Sequence, residues 1–325
     1  KIRRFKMKKT INREHIEGYV YEHNLAIKTV QNTESKNYGK EFINGTLDIQ
    51  TDEAGLNVVT VNFTYVTEVT SKGTKNETYT TLKNIIENGK TVLVDGKDAA
   101  TMVRIDTALG LNDFYTSRNG EEILVSAKRN DGGFVHATNK LGEEATRNTF
   151  EFDMLINGTR LVEADEEKHI DADYLIVKGA VFNFRNAILP VELVVKSAGG
   201  IKYFESLDAS PSNLVFTKVW GKIESQTIVD KREEESAFGD AAVKEYTRTV
   251  REWVITGAAK ETYEIGDEKD GITADEIKTA MADREVYLAD VKKRADEYQA
   301  SKAANMSTTP TPSAGTTAAA GGFNF

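Results

Sequence analysis

The sequence predicts a mainly β protein: two OB-like or small β-barrel domains, then a long C-terminal helix and a disordered tail. Strand-like runs with alternating apolar residues fill most of the first 260 positions. An amphipathic, highly charged segment follows, and residues 301–325 are rich in Ala, Thr, Gly, Pro and Ser. At roughly 150 residues per domain, 325 residues correspond to about two domains.

The first predicted domain covers residues 14–132. In its third strand-like run, Val59, Val61, Phe63 and Tyr65 alternate with polar residues, which is typical of a strand with one buried face. The strand-like runs are 16–28, 40–52, 57–70, 101–109 and 121–129. Between the third and fourth, residues 78–88 have helical apolar spacing and end at Asn88-Gly89. Three strands, a helix and two strands form the element order of an OB-fold barrel, and a small β sandwich with one helix remains the alternative.

The second predicted domain covers residues 147–260 and repeats this texture. Asn157-Gly158 and Gly199-Gly200 are hairpin signals, and Gly179 lies where the apolar parity of its strand switches, as at a β-bulge. The strand-like runs are 149–156, 174–184, 187–196, 201–207, 214–229 and 243–256.

Three further segments complete the predicted organisation. Residues 1–13 form a basic N-terminal arm with seven Lys and Arg residues and no acid. Thr273 and Glu276 form a capping box that opens an amphipathic helix over 272–302, which we expect to pack on the body or to mediate homo-oligomerisation. Residues 303–325 form the tail, which carries Phe323 and Phe325 near its end.

Charge and composition narrow the function classes. The net charge of −9 argues against a nucleic-acid partner on average, but the arm contributes +7, so the rest of the chain carries −16. The absence of cysteine excludes a disulfide framework, a thiolate metal site and a cysteine nucleophile. The four histidines are scattered, and no phosphate-binding loop, calcium loop or catalytic serine motif is present. We therefore expect a binding protein rather than an enzyme, with no cofactor and no metal, in the cytoplasm and without a membrane span.

Single-stranded nucleic acid is bound by aromatic side chains that stack on bases and by Lys and Arg that follow the phosphates. Several strands and loops interleave these residue types. The candidate contacts are Tyr21, Lys36, Tyr38, Lys40, Phe42, Lys72, Lys75, Arg104, Lys178, Phe182, Arg185, Lys218, Trp220 and Lys222. Core packing is the competing interpretation for each aromatic residue, and Phe63 and Tyr65 are assigned to the core. The segments 36–40 and 72–75 are expected to be hairpin loops.

The residues also resemble a known family. The segments beginning at Ile16 (IEGYVYEHNL), Phe42 (FINGTLDI) and Val59 (VTVNFTYV) are similar to single-stranded DNA-binding proteins of tailed bacteriophages. Glu234–Gly239 (EESAFG) and Arg251–Gly257 (REWVITG) extend the similarity, which spans roughly residues 10–260. The resemblance implies OB-fold domains that coat single-stranded DNA in the cytoplasm of the phage's host. It also implies that Phe323 and Phe325 bind replication or recombination proteins, although residues 301–325 lack the acids usual in such tails.

The leading hypothesis is therefore a single-stranded DNA-binding protein without sequence specificity, acting in phage DNA replication or recombination. The alternative is a phage structural or assembly protein, in which two β domains and an oligomerising helix contact protein neighbours.

Overall fold

The computed structural model describes residues 10–165, 170, 172–234, 238, 242–266 and 271–307, with side chains placed except at 226–234, 242–248 and 303–307. Most of the predicted basic arm and residues 308–325, with Phe323 and Phe325, lie outside the described residues. The described part is mainly β, with one 13-stranded sheet and a C-terminal helix, as predicted. None of its helices has the length and apolar character that a membrane span requires.

The first half of the chain folds into a barrel-like ring with five members, one of which is formed by two consecutive strands. Its elements are β1 (Asn12–His23), β2 (Ala26–Thr29), β3 (Glu41–Gln50), β4 (Val58–Thr67), α1 (Glu77–Asn88), α2 (Val92–Asp95), β5 (Met102–Thr107), β6 (Leu109–Arg118), β7 (Glu121–Asp131) and β8 (Phe134–Ala137). β1 pairs with β3 and β5, β3 with β4, and β5 with β8, all antiparallel, whereas β4 and β7 are parallel. Only Gly132-Gly133 separates β7 from β8, so these two strands close the ring between β4 and β5.

The second half repeats this ring. Its elements are β9 (Asn148–Val162), β10 (Tyr174–Phe182), β11 (Ile188–Val195), α3 (Ala198–Ser206), β12 (Val215–Glu234) and β13 (Ala242–Ala258). β9 pairs with β10 and β12, β10 with β11, and β12 with β13, all antiparallel, and β11 with β13 is parallel. Both strand sets close into rings, with a helix between the third and fourth members of each ring, an arrangement that fits the predicted OB-like class better than the small β sandwich with one helix.

Elements that depend on local backbone chemistry agree with the sequence patterns. The predicted first helix is α1: Asn76 caps it by accepting from the Thr78 amide, and Tyr79, Leu82 and Ile85 are buried on one face. The register of β10 against β9 shifts between Lys178 and Gly179, where a bulge was predicted, but the extra residue is Asn157 of β9 rather than a residue of β10.

Three predictions in the second half are wrong. Residues 201–207 belong largely to helix α3, and Gly199-Gly200 lies in its first turn rather than in a hairpin. The Ser197 hydroxyl accepts from the Gly200 amide and starts this helix, whose Phe204 is buried. Asn157-Gly158 does not form a hairpin; β9 continues through it to Val162, paired with β10.

The two barrels share a continuous sheet through their first strands. β1 pairs with β9 from Asn12↔Phe152 to Ile16↔Asn148. Trp253 of β13 is 2% exposed, and its indole Nε1 donates to Glu14 Oε1 of β1 at 2.7 Å. The division into domains at 14–132 and 147–260 stays a prediction; the structure adds that strands of both segments are hydrogen-bonded to each other.

The described residues divide into two compact units. One comprises 10–112 and 127–284 and contains both barrels; the other comprises 113–126 and 285–307. Helix α4 (Ala274–Ser307) runs through both. At its start, Glu276 Oε2 accepts from the Thr273 amide at 2.9 Å and Thr273 Oγ1 accepts from the Glu276 amide, which confirms the capping box. α4 extends five residues beyond the predicted end at 302.

Within the second unit, α4 packs on the end of the β6–β7 hairpin. Val291 is buried, and Lys292 lies between Glu122 and Asp296, 5.3 Å above the ring centre of Tyr115. Met281, in the first unit, and Tyr298, in the second, are apolar residues of the predicted amphipathic helix that are exposed. Homo-oligomerisation through this helix stays a prediction.

Stability should depend on pH through Glu14. Burial raises the pKa of this carboxyl from 4.5 to about 8, and Asp131 adds to the rise against the opposing hydrogen bond from Trp253. Glu14 Oε2 has no hydrogen-bond partner within the described part of the chain, which fits a neutral acid. The folded protein keeps this proton to a higher pH than the unfolded chain, so stability falls as pH rises from about 4.5 to about 8, by at most about 1.4 kcal/mol per pH unit.

Urea denaturation of the Glu14→Gln variant between pH 5 and pH 9 checks this. The glutamine can still accept from Trp253, so we expect a shallower pH dependence than in the parent protein. Glu163→Gln, at an exposed position, is the control and should follow the parent. Equal slopes for the parent and Glu14→Gln would show that Glu14 is ionised in the folded protein.

Candidate nucleic-acid interface

The outer face of β3 and β4 carries an exposed aromatic pair. Ile43, Leu47 and Ile49 of β3 are fully buried, and Phe42 lies on the opposite, partly exposed face, as predicted. Tyr65 of β4 is 46% exposed, and its ring centre lies 4.7 Å from that of Phe42.

Tyr65 was assigned to the core, and that prediction is wrong. Val59, Val61 and Phe63 are buried as the alternation predicts. The register then shifts, because Gly45 pairs with Phe63 while Ile43 pairs with Val66, which places an extra residue in β4. The bulge reverses the parity of the strand and turns Tyr65 outward.

Lysines from the adjoining strand and loop surround this pair. Lys28 of β2 donates to Asn44 Oδ1 at 3.0 Å, and Lys40 donates to Asn37 Oδ1 at 3.2 Å. Asn37 in turn donates to the Tyr65 hydroxyl at 3.4 Å, which ties the loop to the aromatic pair. The loop joins the antiparallel strands β2 and β3, so the predicted hairpin at 36–40 is confirmed. We call Phe42, Tyr65, Tyr38, Lys28, Lys36 and Lys40 the aromatic–lysine surface; Lys36 and Tyr38 are exposed.

Other predicted contacts lie elsewhere on the first barrel. Tyr21 is half-buried on β1. Lys72 and Lys75 are exposed in the loop between β4 and α1, and Lys75 lies 3.7 Å from Glu77. The antiparallel bridge Val69↔Lys75 closes this loop, as expected for a hairpin, although its two sides are single bridge residues rather than strands.

Of the predicted contacts on and after β10, Phe182 is wrong, whereas Lys178 and Arg185 stay predictions. Phe182 is fully buried and packs with Phe216, Ile272 and Ile277, so it has no face available for a base. The outer face of β10 is covered by the segment that begins α4. The sequence of β10 alone does not predict this contact. Lys178 lies 3.6 Å from Glu192 on the paired strand, whereas Arg185 is exposed and lies over the ring of Phe184.

A cleft lies where the two barrels pair. It has a volume of about 560 Å³, and its walls come from four strands, β12, β9, β1 and β5. We call it the joint cleft; it is lined by Arg13, His15, Asp106, Thr149, Phe150, Glu151, Lys218 and Trp220. Lys218 and Trp220 were predicted from the sequence. Arg13 and His15 were not, because their place in the cleft depends on the pairing of β1 with β9, which lies about 135 residues further along the chain.

The backbone of β13 fixes the position of Trp220 in this cleft. It is 41% exposed and is paired with Gly257 of β13. A side chain at position 257 would collide with the indole Nε1, Cε2 and Cζ2 atoms, so glycine lets the ring lie against the backbone.

Most charges of the joint cleft are paired. Lys218 Nζ lies 2.8 Å from Glu151 Oε1, and this hydrogen bond raises the pKa of Lys218. His15 Nδ1 lies 2.9 Å from Asp106 Oδ1, and its Nε2 lies 3.5 Å from Glu17. Among the described residues, the exposed Arg13 forms no ion pair or side-chain hydrogen bond.

Two predicted cations flank the cleft. Arg104 of β5 is exposed, and like Arg13 it has no ion-pair partner among the described residues. Lys222 is half-buried, 3.4 Å from Asn148 Oδ1, and burial lowers its pKa. No group of three or more His, Asp or Glu side chains able to hold a metal occurs in the described part of the chain.

These features define a tandem OB-like protein with an aromatic–lysine surface and a cleft between its barrels. The sequence matches the YorF family over residues 11–294, and the chain belongs to that family. No curated protein matches it. Among solved structures, it is similar to a deletion mutant of the single-stranded DNA-binding protein from Thermus aquaticus, with 11% identity, a TM-score of 0.45, and coverage of 81% of this chain and 100% of that chain.

The two tryptophans should differ in their response to an aqueous quencher. Trp220 is 41% exposed and Trp253 only 2%, so we expect iodide to quench Trp220 and to leave Trp253 emitting. The Trp220→Phe variant should lose the quenchable component while its circular dichroism spectrum is unchanged. Iodide quenching retained in Trp220→Phe would place Trp253 in contact with solvent.

Proposed function

We propose that this protein binds single-stranded DNA without sequence specificity and carries out no catalysis. The observation that carries this proposal is the aromatic–lysine surface. Phe42 and Tyr65 offer two adjacent rings on an outward strand face. Lys28 is paired with Phe42, and Lys40 contacts Asn37, which donates to the Tyr65 hydroxyl. Stacking platforms flanked by cations are what sequence-tolerant single-strand binding requires, since every base has a π-face and every nucleotide a phosphate.

Lysines of this surface remain available to phosphates. Lys28 and Lys40 donate to neutral asparagine side chains rather than to carboxylates, so each keeps its charge uncompensated. Lys36 is exposed in the loop between them along the chain. These positions contrast with Lys218, Lys196 and Lys292, each of which contacts a carboxylate.

The function is tested by fluorescence anisotropy of a labelled oligothymidine of about 16 nucleotides, the upper end of the site size of one OB fold. We expect binding that weakens as salt rises, with a log–log slope of about −0.7 for each phosphate neutralised. Light scattering without DNA is the companion measurement. Absence of salt-sensitive binding at micromolar protein, together with large DNA-independent assemblies, would favour the structural-protein alternative.

The site is tested by Tyr65→Ala. Loss of one stacking platform should weaken binding by about 1–3 kcal/mol, with little change in fold because the ring is half exposed. Tyr298→Ala removes a more exposed tyrosine from α4 and should leave the affinity unchanged. Equal affinities of the two variants would show that Tyr65 does not contact the DNA.

The resemblance to phage single-stranded DNA-binding proteins supports a narrower proposal. On that basis we place the protein in phage DNA replication or recombination, in the host cytoplasm. Phe323 and Phe325 would then contact replication or recombination proteins. This part rests on sequence alone, since both residues lie outside the described part of the chain.

A further inference from the structure

The joint cleft combines an aromatic ring with a free cation at a fixed spacing. Trp220 is paired with Glu151 of β9, and Glu151 is paired with Arg13 of β1. Trp220 and Arg13 therefore stand on strands two positions apart, at about 4.8 Å per strand, with their backbones about 10 Å from each other. Both side chains line the cleft.

The charges around this pair favour one phosphate rather than several. The lining contains two permanent cations and two carboxylates. Lys218 and Glu151 neutralise each other, and Asp106 is hydrogen-bonded to His15. Arg13 is the cation of the lining that forms no ion pair in the described chain, because its register partner Glu151 is engaged by Lys218. An arginine fork suits a phosphate.

The cleft is separated along β1 from the tyrosines further up the strand. The segment between the barrels crosses β1 at Glu17, whose Oε1 accepts from the Gly142 amide at 3.0 Å. Arg147 fixes that segment by donating to the Gly142 carbonyl at 2.8 Å and to Glu53 Oε1 at 2.7 Å. The joint cleft and the aromatic–lysine surface are therefore built from different strands and different side chains.

We propose that the joint cleft is a second contact site for single-stranded DNA, which holds one nucleotide with its base on Trp220 and a phosphate on Arg13. The inference rests on the proposed function and deepens it. The DNA strand would contact the second barrel through β12 as well as the first barrel through β3 and β4.

One titration separates this inference from the function itself. The labelled oligothymidine is added to the full chain while anisotropy and tryptophan emission are followed together. We expect Trp220 emission to be quenched with the same midpoint as the anisotropy change. In Trp220→Phe, the remaining emission of Trp253 should stay constant while anisotropy still reports binding.

Variants of the cleft then test each contact. Arg13→Ala should weaken binding at least about fivefold and reduce the salt slope by about 0.7, whereas Arg160→Ala, an exposed arginine outside the cleft, should change both less. Gly257→Ala displaces the indole without removing it and should reduce the quenching. In Tyr65→Ala, Trp220 should still be quenched at saturating oligonucleotide.

Three results overturn the proposal. The first is a rise in anisotropy with unchanged Trp220 emission and with Arg13→Ala no weaker than Arg160→Ala. The second is quenching by thymidine monophosphate at micromolar concentration but not by the oligonucleotide, which would make the cleft a free-nucleotide site. No anisotropy rise at any concentration is the third, and it refutes the proposed function along with the cleft.

Discussion

The pairing of β1 with β9 is the constraint on which the rest of the described sheet depends. β1 belongs to the first barrel through β3 and β5, and its first residues also pair with β9 of the second barrel. Because side chains alternate between the two faces of β1, one face of the strand contributes to the core and the other to the joint cleft. Glu14 and Ile16 point into the packed interior, where Glu14 meets Trp253, whereas Arg13 and His15 point into the joint cleft. A slip of one residue in this register would exchange the two sets, so the buried acid also fixes which side chains reach the cleft.

The fold class could be predicted because the strands and helices of OB-like barrels produce local sequence patterns. Alternating runs, a capped helix between the third and fourth strands and a capping box before α4 each depend on neighbouring residues. The pairing of the barrels through β1 and β9 could not be predicted, since it joins residues about 135 positions apart. Neither could the burial of Glu14, because only that long-range contact with Trp253 encloses it.

The site residues, too, could be predicted where only local strand alternation decides their exposure. Phe42 and Trp220 were identified because each stands opposite buried neighbours on its own strand. Tyr65 was missed because a bulge reverses strand parity, and Phe182 was wrongly included because the start of α4 covers its face. Strand alternation therefore identifies which face a side chain occupies, but it identifies exposure only where no bulge or distant element intervenes.

The acidic composition also has a structural interpretation. Carboxylates engage many of the cations on the described surface: Lys97 and Arg147 contact Glu53, Lys196 contacts Glu224 and Glu252, and Lys218 contacts Glu151. The cations proposed to contact DNA have no such partner among the described residues: Lys28, Lys36 and Lys40 of the aromatic–lysine surface and Arg13 of the joint cleft. A chain with net charge −9 repels a polyanion at long range, so the attraction must come from these few positions at short range. Stacking would then supply a larger share of the affinity than in a basic binding protein, and the dependence on salt would be correspondingly shallow.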